Sequence, residues 1–365
     1  MKKLYLHIGL GKTGSSALQT WLSINNEALI RQGVFYADLS SDAAQGKPSS
    51  GNGRSLIMAL KNKNAQQIER LLAATYSPDN SAHSAIISSE LMKDVKESAL
   101  EIFLTACKHL DLIPVIVVYV RSVYERAYSA YGQSVKNSGE TAAFSDTHIS
   151  DNLHATVNAL KKYRKVFGES MMVLNYDDAK SIFASFTGAI GLQIDTLKPI
   201  EMQVNRSLSQ SEMKCQRQLN ALHGGVFSRH IAKYFLDSMP NKKIRIVYDQ
   251  TLLSLSRKLC QEDIRWINET FALNTPIVND LYDDTHVGPE ADSSTDVLAS
   301  VVDWAVEFSP LENLAEDFVN FLAAFADFLQ NEGNTQGSRR VRRRLRSART
   351  RLFIKRIIHR HSDVN

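Results

Sequence analysis

The sequence predicts an α/β protein, a P-loop-like parallel sheet flanked by helices, continued by a helical C-terminal half and a basic tail. Three observations carry this. Short apolar, β-branched runs alternate with helix-period segments in the first half of the chain. The first run breaks into a glycine-rich turn that opens a helix. From about Ser207 onward, amphipathic helical spacing replaces the strand-like runs.

The start, Met1-Lys2-Lys3-Leu4-Tyr5-Leu6, superficially suggests a signal peptide. Its apolar run breaks at His7 and Lys12 and lacks a cleavage site, so it is predicted to be a first strand. His7 within it is expected to be a core histidine. The turn that follows, Gly9-Leu10-Gly11-Lys12-Thr13-Gly14-Ser15-Ser16, has the composition of an anion cradle. Glycines let successive backbone N–H groups converge, the helix beyond aims its positive end at the same point, and Lys12 adds a full charge. A phosphate-like group is the expected occupant.

Further along, Gly33 to Asp38 is an apolar run ending in a carboxylate, and Ala85 to Glu90 is a second strand candidate that also delivers a carboxylate to its end. Pro114 to Val120 is continuously apolar, as a fully buried parallel strand should be, and it delivers Arg121 to its carboxyl end. Open α/β sheets bind ligands at such ends. Ser122 is a candidate N-cap for the helix that follows, which carries Ser129. A guanidinium and a hydroxyl so placed suit a second phosphate. In the second half, Glu212 to Leu222, Gln261 to Phe271, Val297 to Phe308 and Leu311 to Gln330 have helical spacing, and the stripe Phe318, Phe321, Phe325, Phe328 is read as core. Asn274 to Asp296 is turn-rich and acidic.

The loop alone fits more than one nucleotide. A Walker A motif would need glycine where Leu6 stands, so ATP or GTP fits poorly. Gly9, Gly11 and Gly14 satisfy the G-x-G-x-x-G dinucleotide fingerprint, with Asp38 near the ribose-reading distance, and this leaves an NAD(P)-dependent oxidoreductase as a competing reading. That reading leaves Arg121 and Ser129 without a task.

Two strand-end anion sites, one with Lys12-Thr13-Gly14-Ser15-Ser16 and one with Arg121 and Ser129 eight residues apart, resemble those of sulfotransferases that use 3′-phosphoadenosine 5′-phosphosulfate (PAPS). Tyr163-Arg164-Lys165-Val166-Phe167-Gly168 before a short strand ending Asn175-Tyr176-Asp177, and then Asn205-Arg206-Ser207-Leu208-Ser209, are similar to bacterial carbohydrate-type members. The similarity covers roughly residues 1 to 220. It implies that Gly11, Lys12, Thr13, Gly14, Ser15 and Ser16 hold the 5′-phosphosulfate, that Arg121 and Ser129 hold the 3′-phosphate, and that Arg206 contacts nucleotide or acceptor. Ser209 is equally readable as a plain helix N-cap. In this reading Lys12 stabilises the leaving adenosine bisphosphate. Glu90 is the candidate base, with Asp38 or a histidine as rivals. The acceptor is a hydroxyl of a carbohydrate or glycolipid. A third reading is a non-catalytic phosphoanion-binding adaptor.

Residues 1–200 are thus expected to form the nucleotide-binding core and 201–330 a helical acceptor-side part of the same domain, with 331–365 a linker and basic amphipathic tail. At 365 residues and 44% apolar content, the chain can bury one large or two modest cores. Cys107, Cys215 and Cys260 lack disulfide or metal spacing, and no histidine has an H-x-x-x-H partner, so neither a disulfide framework nor a metal is expected. No window reaches the roughly 20 apolar residues of a membrane span. Residues 339 to 365 hold eleven Lys/Arg against one acidic residue, a net +10, whereas the preceding body is −6. Residues 339–360 resemble a basic helix for an anionic membrane surface, and no nucleic-acid-reading module accompanies them. A cytoplasmic protein, peripheral on the inner face of a membrane, is the expected setting.

Overall fold

The computed structural model describes residues 2–36, 51–76, 82–178, 181–199, 207–239, 248–273, 276–277 and 294–362, without the side chains of 294, 295, 312 and 355–362. Asp38, Asn205 and Arg206 lie outside the described residues, as does most of the turn-rich stretch 274–296.

Five strands form one parallel sheet: β1 (Lys2–Ile8), β2 (Val34–Phe35), β3 (Ser84–Ser89), β4 (Leu112–Val120) and β5 (Met171–Asn175). Their order is β2-β3-β1-β4-β5. β1 is therefore central, with Leu6 opposite Ile87 on one side and Ile116 on the other. A central parallel strand is covered on both faces, which is why it reads as an unbroken apolar run. The chain steps from β1 out to the edge, returns through β3, then crosses to β4. In open α/β sheets ligands bind where the strand order reverses, which here is the carboxyl end of β1 between β3 and β4.

Among the described residues the helices are α1 (Ser15–Ile24), α2 (Asn26–Arg31), α3 (Arg54–Lys61), α4 (Ala65–Thr75), α5 (Glu97–His109), α6 (Val123–Asn137), α7 (Asp146–Phe167), α8 (Ile182–Ile190), α9 (Gln210–His223), α10 (Ser228–Ser238), α11 (Gln250–Phe271), α12 (Ser294–Glu307), α13 (Ala315–Asn331) and α14 (Thr335–Ser362). They and the sheet separate into two compact units. The first comprises residues 1–128, 145–203 and 250–281, and the second 129–144, 204–249 and 282–365, so the boundary falls within α6.

In the first unit, Tyr5, Ile86, Val117 and Tyr119 point to one face of the sheet and pack with Leu18, Trp21 and Leu22 of α1, Leu29 of α2 and Phe186 of α8. His7 is on this face and fully buried. Its Nδ1 shares a 2.7 Å hydrogen bond with Ser88 Oγ, which also accepts from Gln19 Nε2 at 3.0 Å. Phe186 and Tyr119 meet the ring edge-on. It is a core histidine, as its strand position predicts. α5 and α7 pack against β4.

In the second unit, Ser209 caps α9 through a reciprocal capping box: Glu212 N–H donates to Ser209 Oγ and Ser209 N–H to Glu212 Oε2. The capping reading of Ser209 therefore holds. Asn220 ties the unit together, donating to the Val135 and Glu140 carbonyls at 2.9 Å each and accepting from Ser228 Oγ at 2.7 Å. The phenylalanine stripe does form core: Phe318, Phe321 and Phe325 are buried, and the first two pack with Phe227 and Trp304.

The stretch 331–338, expected as a linker, is the end of α13, a tight turn at 332–334 and the first turn of α14. Gly333 takes φ 76°, Asn334 N–H donates to the Leu329 carbonyl, and the Asn334 side chain accepts from Gly337 N–H at 2.9 Å. These are a helix stop and a helix start back to back. The basic segment is helical and docked at its beginning. Val341 and Leu345 are buried, Ser338 Oγ donates to the Ala326 carbonyl at 2.8 Å, Arg340 pairs with Asp303 at 2.7 Å and Arg342 with Asp327 at 2.8 Å.

Burial lowers the His7 pKa to about 4, against 6.5 when exposed. Between these values the unfolded chain binds a proton that the native state refuses, so stability is complete above the upper value and is lost as pH falls toward the lower. His223, lowered to about 4 by burial, acts in the same direction. The unfolding free energy from urea titration should fall on acidification through this window, by on the order of 3 kcal/mol for His7. A His7→Gln variant should show a shallower pH slope; an unchanged slope would show that His7 does not set it.

Candidate functional site

The carboxyl ends of β1, β3 and β4 bring the glycine-rich turn, Glu90 and Arg121 to one edge of the sheet. Gly9 N–H donates to the Ser89 carbonyl at 3.2 Å, tying the turn to the end of β3. Glu90 opens a short 3-10 turn (Glu90–Asp94), and its side chain lies across Gly9: a Cβ on Gly9 would stand 2.7 Å from Glu90 Cγ and from Ser15 Oγ. Only glycine allows that approach. Gly11 and Lys12 then take consecutive left-handed conformations, φ 74° and 61°, and Gly14 a third at 72°. For Lys12 this costs about 1 kcal/mol, so other contacts must hold it.

Two guanidinium groups do so. Arg126, on the first turns of α6 and only 7% exposed, donates from Nη2 to the Leu10 carbonyl at 2.7 Å and from Nε to the Gly11 carbonyl at 3.3 Å. Its Nη1 reaches α7, donating to the Asn152 carbonyl and the Thr156 hydroxyl. Burial pulls its pKa down to about 10, so it still carries its charge at neutral pH. Arg121 donates from Nη1 to the Lys12 carbonyl at 3.2 Å. Three successive loop carbonyls are thereby drawn onto arginines. Among the described residues, none accepts from the backbone N–H groups of residues 10–14.

The start of α1 continues the pattern. Gly14 is its N-cap with no side-chain cap, and no acidic residue stands in the first turn. Thr13 Oγ1 and Ser15 Oγ are buried with no hydrogen-bond partner among the described residues. A helix N-terminus, two such hydroxyls and a lysine in one turn form a donor set suited to a phosphate or sulfate group. Lys12 is partly buried. Desolvation lowers its pKa, the Glu90 carboxylate opposes this, and Arg121 adds to the lowering.

Arg121 itself is bound from three sides. Besides the Lys12 carbonyl it pairs with Glu125 at 2.5 Å and, from Nε, with Asp177 at 3.2 Å, and it lies over the Tyr176 ring. Burial acts to lower its pKa, but Glu125 and Asp177 outweigh this and raise it. Desolvation raises the Asp177 pKa, and its other oxygen accepts from Ser122 N–H. In this arrangement Arg121 braces the loop, and two carboxylates already occupy its guanidinium. Ser129 lies two turns along α6, in the second unit.

The residues expected from the sequence thus divide clearly. Gly11, Lys12, Thr13, Gly14, Ser15, Ser16, Glu90 and Arg121 share one edge of the first unit, and Arg206 and the rival base Asp38 lie outside the described residues. His109 and His154 pair with Glu69 and Asp263, and His148 completes the capping box of α7. Among the described residues, no cluster of His, Cys, Asp or Glu could hold a metal ion. Sequence reasoning missed Arg126 and Asp177. The one signal for Arg126 was its place beside the apolar stripe Val123, Ala127, Tyr131, Val135, and many surface arginines share that position.

Arg126→Lys would keep the charge but lose the fork that bridges Leu10, Gly11 and α7. Two loop carbonyls would then be poorly satisfied, at a cost of about 2–4 kcal/mol. Hydrogen exchange should show faster amide exchange across residues 9–16, with β4 protection retained; unchanged loop exchange would refute the brace.

Comparison of the chain with protein-family models, with curated proteins and with solved structures found no match in any of the three.

Proposed function

We propose that this chain transfers the sulfuryl group of PAPS to a hydroxyl acceptor on a carbohydrate or glycolipid. The observation that carries the reading is the loop between β1 and α1. Its carbonyls are held by Arg121 and Arg126, its Thr13 and Ser15 hydroxyls are buried without partners among the described residues, and Lys12 lies in the field of Glu90. Bound there, PAPS would supply an activated S–O bond to its 5′-phosphate. The acceptor oxygen forms the new bond to sulfur, the bond to the phosphate oxygen breaks, and adenosine 3′,5′-bisphosphate leaves. Glu90 takes the acceptor proton, and Lys12 donates to the phosphate oxygen as charge grows on it. The partial burial of Lys12 strengthens that last interaction.

The strand order weighs against the oxidoreductase reading. A dinucleotide fold sets the strand that carries the ribose-reading acid next to β1, whereas here β3 stands between β1 and β2. The proposal draws on the loop, Lys12 and Glu90. The 3′-phosphate roles of Arg121 and Ser129 remain what the resemblance implies, and the carboxylates on Arg121 speak for a bracing role instead.

Titration calorimetry should show binding of adenosine 3′,5′-bisphosphate in preference to ADP and NAD. Lys12→Ala should weaken that binding and lower turnover about 100- to 1,000-fold. Glu90→Gln should leave affinity nearly unchanged while turnover falls about 100-fold or more. Preference for NAD would overturn the assignment. Glu90→Gln at full turnover would remove Glu90 as the base.

A further inference from the structure

The second unit holds a cavity of about 180 Å³ between α13, α14 and the segment joining α12 to α13, lined by Pro310, Phe318, Arg344, Ala348, Arg351 and Leu352 among others. Arg344 and Arg351 are two helical turns apart on α14 and share this cavity. Among the described residues, no acidic side chain lines it. Their neighbours on the helix are treated differently: Arg340 and Arg342 are neutralised by Asp303 and Asp327. Arg344 has instead a carbonyl partner, donating from Nη2 to Phe308 O at 2.8 Å, and its Nε is buried with no partner among the described residues. Desolvation lowers its pKa, and repulsion from Arg351 adds to this.

Two like charges with apolar walls and an unmet donor call for an anion that also carries apolar substance. We propose that this cavity takes the phosphate of an anionic phospholipid, docking the second unit on a membrane surface. The surroundings select a lipid over a free or nucleic-acid phosphate. Leu311, next in the chain to Pro310, is 71% exposed, and Phe353 and Ile354, next to Leu352, are 65% and 50% exposed. Such side chains insert among acyl chains, whereas a nucleic-acid backbone offers them nothing. Guanidinium groups match phosphate oxygens with paired donors, which a diffuse layer of charge does not require. The inference is independent of the transferase reading.

Co-sedimentation of the full chain with phosphatidylcholine vesicles, with and without phosphatidylglycerol, tests it. Binding should require the anionic lipid. Arg344→Gln with Arg351→Gln should weaken it about tenfold more than Arg343→Gln with Arg346→Gln, which removes equal charge from exposed positions outside the cavity. Arg351→Gln alone, at an exposed position, serves if the Arg344 change unfolds the unit, and should still exceed Arg343→Gln. Equal losses for the two pairs would reduce the effect to diffuse attraction and overturn the site. Inorganic phosphate bound through the same arginines without any vesicle binding would assign the cavity to a free anion. Displacement from vesicles by polynucleotide, sensitive to the same arginines, would assign it to nucleic acid.

Discussion

The turn between β1 and α1 depends on guanidinium groups taking its carbonyl oxygens. A backbone with left-handed residues at Gly11, Lys12 and Gly14 exposes N–H groups on one side and carbonyls on the other. Left alone, those carbonyls would repel any anion that approached. Arg126 and Arg121 bind the carbonyls of Leu10, Gly11 and Lys12, so the electronegative side is fixed against protein. The buried charge of Arg126 is held largely by backbone dipoles, an arrangement that costs desolvation but leaves net positive potential beneath the turn. The left-handed lysine is then a consequence, because its carbonyl is anchored by one arginine and the carbonyl before it by the other.

Strand order supplies the second constraint. With β1 in the middle, the turn after it is flanked by whatever follows β3 and β4, and these are Glu90 and Arg121. The two strand ends do different things. β3 delivers a carboxylate against Gly9, where only a missing side chain leaves room. β4 delivers a cation whose charge is largely met by Glu125 and Asp177. Lys12 is therefore less neutralised by carboxylates than Arg121, with Glu90 as its principal electrostatic neighbour. An edge position for β2 also separates Gly33 to Phe35 from β1, with β3 between them.

Much of this edge was legible because parallel strands buried on both faces announce themselves as apolar runs. Pro114 to Val120 and Ala85 to Ser89 could be placed from composition, and with them Arg121 and Glu90. Partners distant in sequence could not. Asp177 lies 56 residues from Arg121, and Thr156 lies 30 from Arg126; nothing local in either segment marks these pairings. The reverse error occurred near residue 333. A polar, glycine-bearing stretch reads as a linker, yet a left-handed glycine followed by an asparagine cap is also how one helix stops and the next starts. Val341 and Leu345, one helical turn apart amid arginines, were the only local sign that the basic segment packs.

Net charge is a poor guide to function in both units, because charges are consumed in pairs before any partner is met. Of the +10 carried by the last 27 residues, Arg340 and Arg342 are met by aspartates of α12 and α13. In the first unit Arg121 is met by two carboxylates. What Lys12 in one unit and Arg344 in the other share is that desolvation acts on a cation that described carboxylates do not fully compensate. A burial penalty of that kind is retained where a bound anion can offset it. On the readings proposed above, the anion in each unit goes to a cation that packing leaves undercompensated rather than to the most basic stretch of sequence.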